Sequence, residues 1–126
     1  LCSEFNLSSS APYSVIGLLS NPSGLDLRPL YGNTNSINWY DGGIVGLYGV
    51  SVVPTFYKAA LAMTPTLNTW SLSGSAATTG ATNGNLLKGA TLLIGQGAGL
   101  YQNGHIRKLT YYPVALSSNN LVALTS

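Results

Sequence analysis

Few residues of this sequence could take part in acid–base or nucleophilic chemistry. Besides lysines and tyrosines they are Cys2, Glu4, Asp26, Asp41 and His105. Catalysis needs such groups in pairs or triads, and the closely spaced carboxylates of a retaining glycosidase do not occur in this sequence. The sequence therefore predicts a protein that is not an enzyme, with no catalytic residue and no cofactor.

Three further features could suggest chemistry, and each has a plainer interpretation. His105 opens a strand-like segment, so we expect a half-buried strand histidine rather than the base of a Ser–His–Asp site. Residues 95–99, Gly-Gln-Gly-Ala-Gly, precede no helical pattern, so they predict a mobile loop rather than a dinucleotide site. Asp41 with Asn38 or a loop carbonyl is the best candidate for calcium, but three acidic residues are too few for a tight site, and we expect no metal.

Aromatic side chains next to amides make the strongest candidate for a binding site. Sugar sites combine an aromatic ring, which covers the apolar face of the sugar, with amide and hydroxyl groups that bind its hydroxyls. Two sets have this composition, namely Asn38, Trp39, Tyr40 and Asp41 beside a turn, and Tyr101, Gln102 and Asn103 before the last strand. The alternative for Trp39 and Tyr101 is packing at strand ends, whereas Trp70 fits the core.

Charge is unusually scarce in this chain. Charged residues make up 6% of it, against roughly 25% in an average soluble domain. The basic residues are Arg28, Lys58, Lys88, Arg107 and Lys108, scattered apart from the last two. Nucleic-acid binding needs a clustered basic surface, so we expect no nucleic-acid partner. Low charge instead suits a part of a larger assembly.

The cysteine count, the lengths of the apolar runs and the first residues support three further expectations. A single cysteine, Cys2, excludes an internal disulfide. No apolar run approaches the roughly 20 residues of a membrane span, so we expect no membrane insertion. The chain opens on Leu1 without a secretion signal, and we expect it to be a fragment or the C-terminal part of a longer protein.

Frequent turn residues divide the chain into many short apolar segments. These segments are rich in Val, Ile, Leu, Tyr and Thr, which is typical of strands. The predicted strands cover residues 13–20, 25–31, 37–40, 44–53, 55–63, 67–73, 86–94 and 105–112. Pro29 predicts an edge strand or an early end of the ladder, and Asp41-Gly42 predicts a hairpin. Residues 74–84 are expected to form a long loop or irregular edge.

Two local patterns refine this interpretation. Alternation in the fifth strand places Tyr57, Ala59, Leu61 and Met63 on one face. Helix N-cap chemistry at residues 117–120 precedes an apolar run, which predicts one closing helical turn. Eight or nine strands in 126 residues indicate a single all-β domain, either a two-sheet sandwich or a barrel.

Several segments of the second half of the sequence also form a recognisable succession. Residues 57–62, 70–74 and 92–95 are followed by 103–113, 115–117 and 121–125, which read as a closing strand and a short helix. This half resembles concanavalin A-like (laminin-G-like) jelly-roll domains, especially those at the C-termini of bacteriophage tail-fibre and other virion proteins. Asn119 and Asn120 stand where that pattern has acidic residues, which weakens the helix cap by about 0.5 kcal/mol.

The resemblance implies a fold, a function and partners. The fold is a two-sheet antiparallel jelly-roll sandwich over residues 1–126 with one short C-terminal helical turn. The function is non-catalytic: a phage virion appendage recognising a host-surface glycan or protein receptor during adsorption, with homotrimerisation. One alternative is a structural domain that docks onto another virion protein and has no host ligand. Another is a cellular laminin-G adhesion domain, which paired cysteines and an acidic calcium rim would have favoured.

Overall fold

The structure is a computed structural model that describes residues 1–6, 13–19, 26–33, 36–41, 44–49, 56–81, 91–97, 100–102 and 104–126. Within these ranges the chain is mostly β-strand, as predicted, with two five-stranded antiparallel sheets, a two-stranded ribbon and one C-terminal helix. The elements are β1 Cys2–Asn6, β2 Tyr13–Leu19, β3 Asp26–Asn33, β4 Ser36–Asp41, β5 Ile44–Gly49, β6 Phe56–Met63, β7 Leu67–Leu72, β8 Thr78–Ala81, β9 Thr91–Ile94, β10 Gln96–Gly97, β11 Leu100–Tyr101, β12 Ile106–Thr110 and α1 Ser118–Thr125.

The first sheet joins the two ends of the described chain, in the order β12-β1-β6-β7-β8. Strand β1 lies between β6 and β12, so Glu4 is opposite Lys58 on one side and Lys108 on the other. The sequence analysis did not predict β1. Its alternation is hidden because Ser3, a polar residue, occupies a fully buried position beside Phe5.

One face of the first sheet carries the main core. Phe5, Tyr57, Ala59 and Leu72 form one buried cluster, which Ile37 of β4 joins from the second sheet. The Phe5 and Tyr57 ring centroids lie 5.9 Å apart with tilted planes, a favourable aromatic geometry. Trp70 on β7 is buried, which confirms its predicted place in the core.

The opposite face of the same sheet is covered by α1. Leu121 packs there against Ala60 and Ala62, with Cys2 and Leu116 beside them. Strand β6 is therefore buried on both faces, whereas alternation predicted one apolar face only. The small alanine side chains explain the difference, because they allow a helix to lie close to the strand.

Helix α1 is anchored at both ends. The Ser117 hydroxyl accepts a hydrogen bond from the Asn120 backbone N–H at 3.4 Å, which confirms the predicted cap. At the other end the Thr125 and Ser71 hydroxyls are 2.8 Å apart. The helix has eight residues rather than the single turn expected. In the described part of the chain, no helix has the length and apolar character needed to cross a bilayer.

The second sheet has the order β5-β4-β3-β2-β9. Strand β3 contains Pro29 yet lies between β4 and β2, so the edge-strand prediction is wrong. The β3–β4 register shifts between Arg28 and Tyr31, and this irregularity accommodates a residue that cannot donate to the ladder. Strands β4 and β5 pair as predicted for the hairpin, whose turn at residues 42–43 is outside the described ranges.

Two segments differ from their predicted loops: residues 74–84, expected to be a long loop or an irregular edge, contain an edge strand, and part of the loop predicted at residues 95–99 is in a strand. Residues 78–81 are β8, the edge of the first sheet, paired to β7 through Trp70–Thr78 and Leu67–Ala81. Gln96 and Gly97 pair with Tyr101 and Leu100 in a small ribbon. Backbone pairing with a neighbouring strand defines these strands, although the side chains of residues 78–81 are small. The predicted strand at residues 86–94 is described only at its end, as β9.

Candidate functional site

The first predicted set, Asn38 to Asp41, lies on an interior strand. Strand β4 pairs with β3 on one side and with β5 on the other, and its register with β5 shifts between Trp39 and Tyr40. Such irregularities locally re-aim side chains. The side chains of these four residues are outside what the structure describes, so their role as a glycan site stays a prediction.

The second set is divided by the structure. Tyr101 ends β11 and is 66% exposed, so it is available to a ligand. Gln102 has a structural role, because its Nε2 donates to the Asn6 carbonyl at 3.0 Å and its backbone N–H donates to the Gly95 carbonyl at 2.8 Å. Asn103 is outside the described residues. The hydrogen bonds of Gln102 thus fix the backbone next to Tyr101, beside the end of β1.

Asn6, the last residue of β1, contacts Gln102, Gly104 and His105. We call this group of residues the corner. The Asn6 backbone N–H donates to the His105 carbonyl at 2.8 Å, and the Asn6 Oδ1 accepts from the His105 backbone N–H at 2.8 Å. Gly104 lies against it with φ +156°, and a Cβ added there would be 2.1 Å from the Asn6 carbonyl oxygen. Only glycine permits this approach.

His105 corrects one expectation. It was predicted to be half-buried, but its side chain is exposed. The contacts that hold this residue are made by its backbone, at the point where the chain enters β12, so the imidazole is not required for packing.

A charged surface also forms that the sequence analysis did not predict. Glu4 accepts a hydrogen bond from Arg107 Nη1 at 2.8 Å, and the Arg107 guanidinium lies 4.0 Å from the centroid of the Phe56 ring. Lys58 and Lys108 flank Glu4 in the strand register. The adjacent pair Arg107-Lys108 was the only sequence signal for this cluster.

A β-bulge in β12 explains how two consecutive residues reach the same side. The β1–β12 register moves from Glu4–Lys108 to Phe5–Ile106, which leaves Arg107 without an opposite residue. In a regular strand, neighbours point to opposite faces. Here Arg107 and Lys108 are both exposed, and Arg107 contacts the same Glu4 that Lys108 faces.

Beside this cluster is a cleft of about 140 Å³, which we name the Lys58–Lys108 cleft. Its lining residues are Cys2, Ser3, Glu4, Lys58, Lys108, Thr110, Tyr112 and Leu124. Burial raises the pKa of the Cys2 thiol above its ordinary value, and the opposing positive charges of the N-terminus, Lys108 and Lys58 only reduce that rise. The thiol is thus mainly protonated at neutral pH and is a poor nucleophile.

The exposed groups described above are of types that bind ligands through stacking, hydrogen bonds and charge. The described side chains provide an exposed aromatic ring, hydroxyl donors and ammonium groups. Among the described residues, no three His, Cys, Asp or Glu side chains are grouped to hold a metal ion. The sequence matches no protein-family model, and comparison with curated proteins finds no match either.

Proposed function

We propose that this chain is a non-catalytic, lectin-like binding module of a phage virion appendage that recognises a host-surface glycan or protein receptor during adsorption. The module would be a concanavalin A-like jelly-roll sandwich. Its place in the virion and its trimeric state come from the resemblance of residues 55–126 to tail-fibre domains.

The strand arrangement supports the sandwich. The first and last strands, β1 and β12, are neighbours in the first sheet, so segments from both ends of the sequence lie in one sheet. Ile37 of the second sheet shares a buried cluster with Phe5 and Leu72 of the first. Two antiparallel sheets that share a core are the defining feature of such folds.

The exposure of Tyr101 is the observation that carries the binding function. Trp70, the aromatic residue that packs in the core within β7, is buried. Tyr101 instead presents its ring to solvent from a ribbon that Gln102 anchors to β1. An exposed aromatic ring can cover the apolar face of a sugar.

A glycan-array screen tests this function directly. The wild-type chain is compared with Tyr101→Ala, with Trp39→Ala, and with Tyr111→Ala as the matched control. Tyr111 is 74% exposed but follows β12, away from the ribbon. We expect a glycan signal that Tyr101→Ala reduces at least fivefold and Tyr111→Ala leaves unchanged. A signal equally reduced by both variants would reject Tyr101 as the site, and no signal at all would reject glycan recognition.

Assembly onto another virion protein is the second candidate, and β9 favours it. Leu92 and Ile94 alternate along this edge strand and are 45% and 58% exposed. Among the described strands β9 is the last of its sheet, and exposed apolar residues on a sheet edge are typical of surfaces that a partner covers.

Light scattering on the same sample separates the two candidates. A trimer that binds a glycan supports adsorption. A monomer with no glycan signal, in which Ile94→Lys abolishes capture by a defined virion protein, supports assembly.

A further inference from the structure

The charge of this chain is concentrated on one surface. Lys58, Arg107 and Lys108 carry three positive charges there and Glu4 one negative charge, an excess of two. The whole chain has a formal net charge of +2. The two other basic and two other acidic residues therefore cancel, and the full excess lies on strands β1, β6 and β12.

We propose that the Lys58–Lys108 cleft binds the anionic group, a carboxylate or a phosphate, of an acidic saccharide. The saccharide part rests on the proposed function. The anion part rests only on the charges and shape of the cleft.

The two lysines are placed by the sheet itself. Lys58 and Lys108 are both directly opposite Glu4 on adjacent antiparallel strands, so all three side chains share one face. Lys58 Nζ donates to the Ser126 carbonyl, which ties it to the end of α1. Lys108 makes no ion pair within the described part of the chain, and its ammonium group is free to bind an anion.

Glu4 does not cancel this charge locally. Its carboxylate is engaged by Arg107 at 2.8 Å, and its side chain is only 20% exposed. The bulge in β12 makes this possible, because it brings Arg107 to the Glu4 side without moving Lys108 away. An arriving anion therefore meets the free ammonium group of Lys108, with the Lys58 ammonium group bonded to the Ser126 oxygen nearby, beside a carboxylate that is already paired.

The cleft has the size and the additional donors that an anion requires. About 140 Å³ is available, roughly ten times the 10–15 Å³ that one water molecule needs by a similar measure. Thr110 and Tyr112, whose side chains carry hydroxyl groups, are among its lining residues. Ammonium and hydroxyl donors around a carboxylate or phosphate form charge-assisted hydrogen bonds, the stronger class of hydrogen bond.

NMR titration of the whole chain tests the proposal with three probes: inorganic phosphate, glucuronate and the neutral match glucose. We expect phosphate and glucuronate to shift the backbone amides of Cys2, Lys108 and Thr110, and glucose to leave them unchanged. Lys108→Gln should lower the affinity for both anions at least about tenfold, since a hydrogen bond to a charged group is lost. Arg28→Gln removes the same charge from β3 of the other sheet and should change affinity less than twofold.

Other outcomes of the titration would each reject one part of the proposal. If neither anion shifts these amides, or if Arg28→Gln weakens binding as much as Lys108→Gln, the cleft is not an anion site. Phosphate binding without glucuronate binding rejects the saccharide class. A failed Tyr101-dependent glycan signal together with Lys108-dependent anion binding rejects the proposed function and retains the anion site.

Discussion

The close contact of Gly104 with Asn6 predicts a large loss of stability for Gly104→Ala. A residue other than glycine at a φ of +156° is strained, and such backbone strain costs about 1–3 kcal/mol. The added Cβ would be 2.1 Å from the Asn6 carbonyl oxygen. It must push β1 away by more than an ångström to reach ordinary contact.

That displacement breaks two hydrogen bonds of the corner. The Asn6 carbonyl accepts from Gln102 Nε2 at 3.0 Å, and the Asn6 N–H donates to His105 at 2.8 Å. Each bond contributes about 1 kcal/mol net, so the free energy of unfolding should fall by about 3–5 kcal/mol. For a chain of this length, with roughly 2.1 cal/mol/K of unfolding entropy per residue, the Tm should fall by roughly 11–19 °C.

Thermal unfolding followed by circular dichroism measures this shift, and Gly95→Ala is the matched control. Gly95 also has a positive φ, +73°, but no other described residue has an atom within 4 Å of its added Cβ. It should lose only the cost of the backbone conformation, about 1–2 kcal/mol. If Gly104→Ala melts no lower than Gly95→Ala, the close contact with Asn6 does not exist and the reasoning is refuted.

Three further predictions concern the helix and the cleft. Leu121→Ala should lower the free energy of unfolding by about 2–5 kcal/mol, since Leu121 is 1% exposed; a loss under about 1 kcal/mol in urea unfolding would show that α1 is not docked. Thr125→Val should cost about 1 kcal/mol because its buried hydroxyl bonds Ser71, and a double-mutant cycle with Ser71→Ala should be non-additive. Because burial raises the pKa of Cys2 above 9.0, the native state retains the thiol proton longer than the unfolded chain does. The stability that the native state gains from keeping the Cys2 thiol protonated is complete below pH 9. It is lost as the pH rises through the raised pKa. Urea unfolding between pH 8 and 10.5 should show a steeper decline for wild type than for Cys2→Ala, and parallel declines would contradict the raised pKa.

Local patterns were enough to predict much of the secondary structure. The predicted strands that correspond to β2, β6, β7 and β12 are apolar segments bounded by turn residues, and this pattern depends only on neighbours in the chain. The helix start at Ser117 is equally local, because a cap needs its hydroxyl and an N–H three residues later. The exposed Tyr101 was named from composition, but whether its ring faced solvent could not be read from the sequence.

Local sequence patterns predicted a chain of many short strands with a C-terminal helix and with few groups able to do chemistry. The other features depend on contacts between residues that are distant in the chain, which such patterns cannot show. Glu4 meets Lys58 and Lys108 only when β1 pairs with two strands more than fifty residues away. The β12 bulge is a property of that pairing and not of either strand alone. Burial of both faces of β6 likewise required α1 to dock on Ala60 and Ala62, a contact that alternation within one strand cannot reveal.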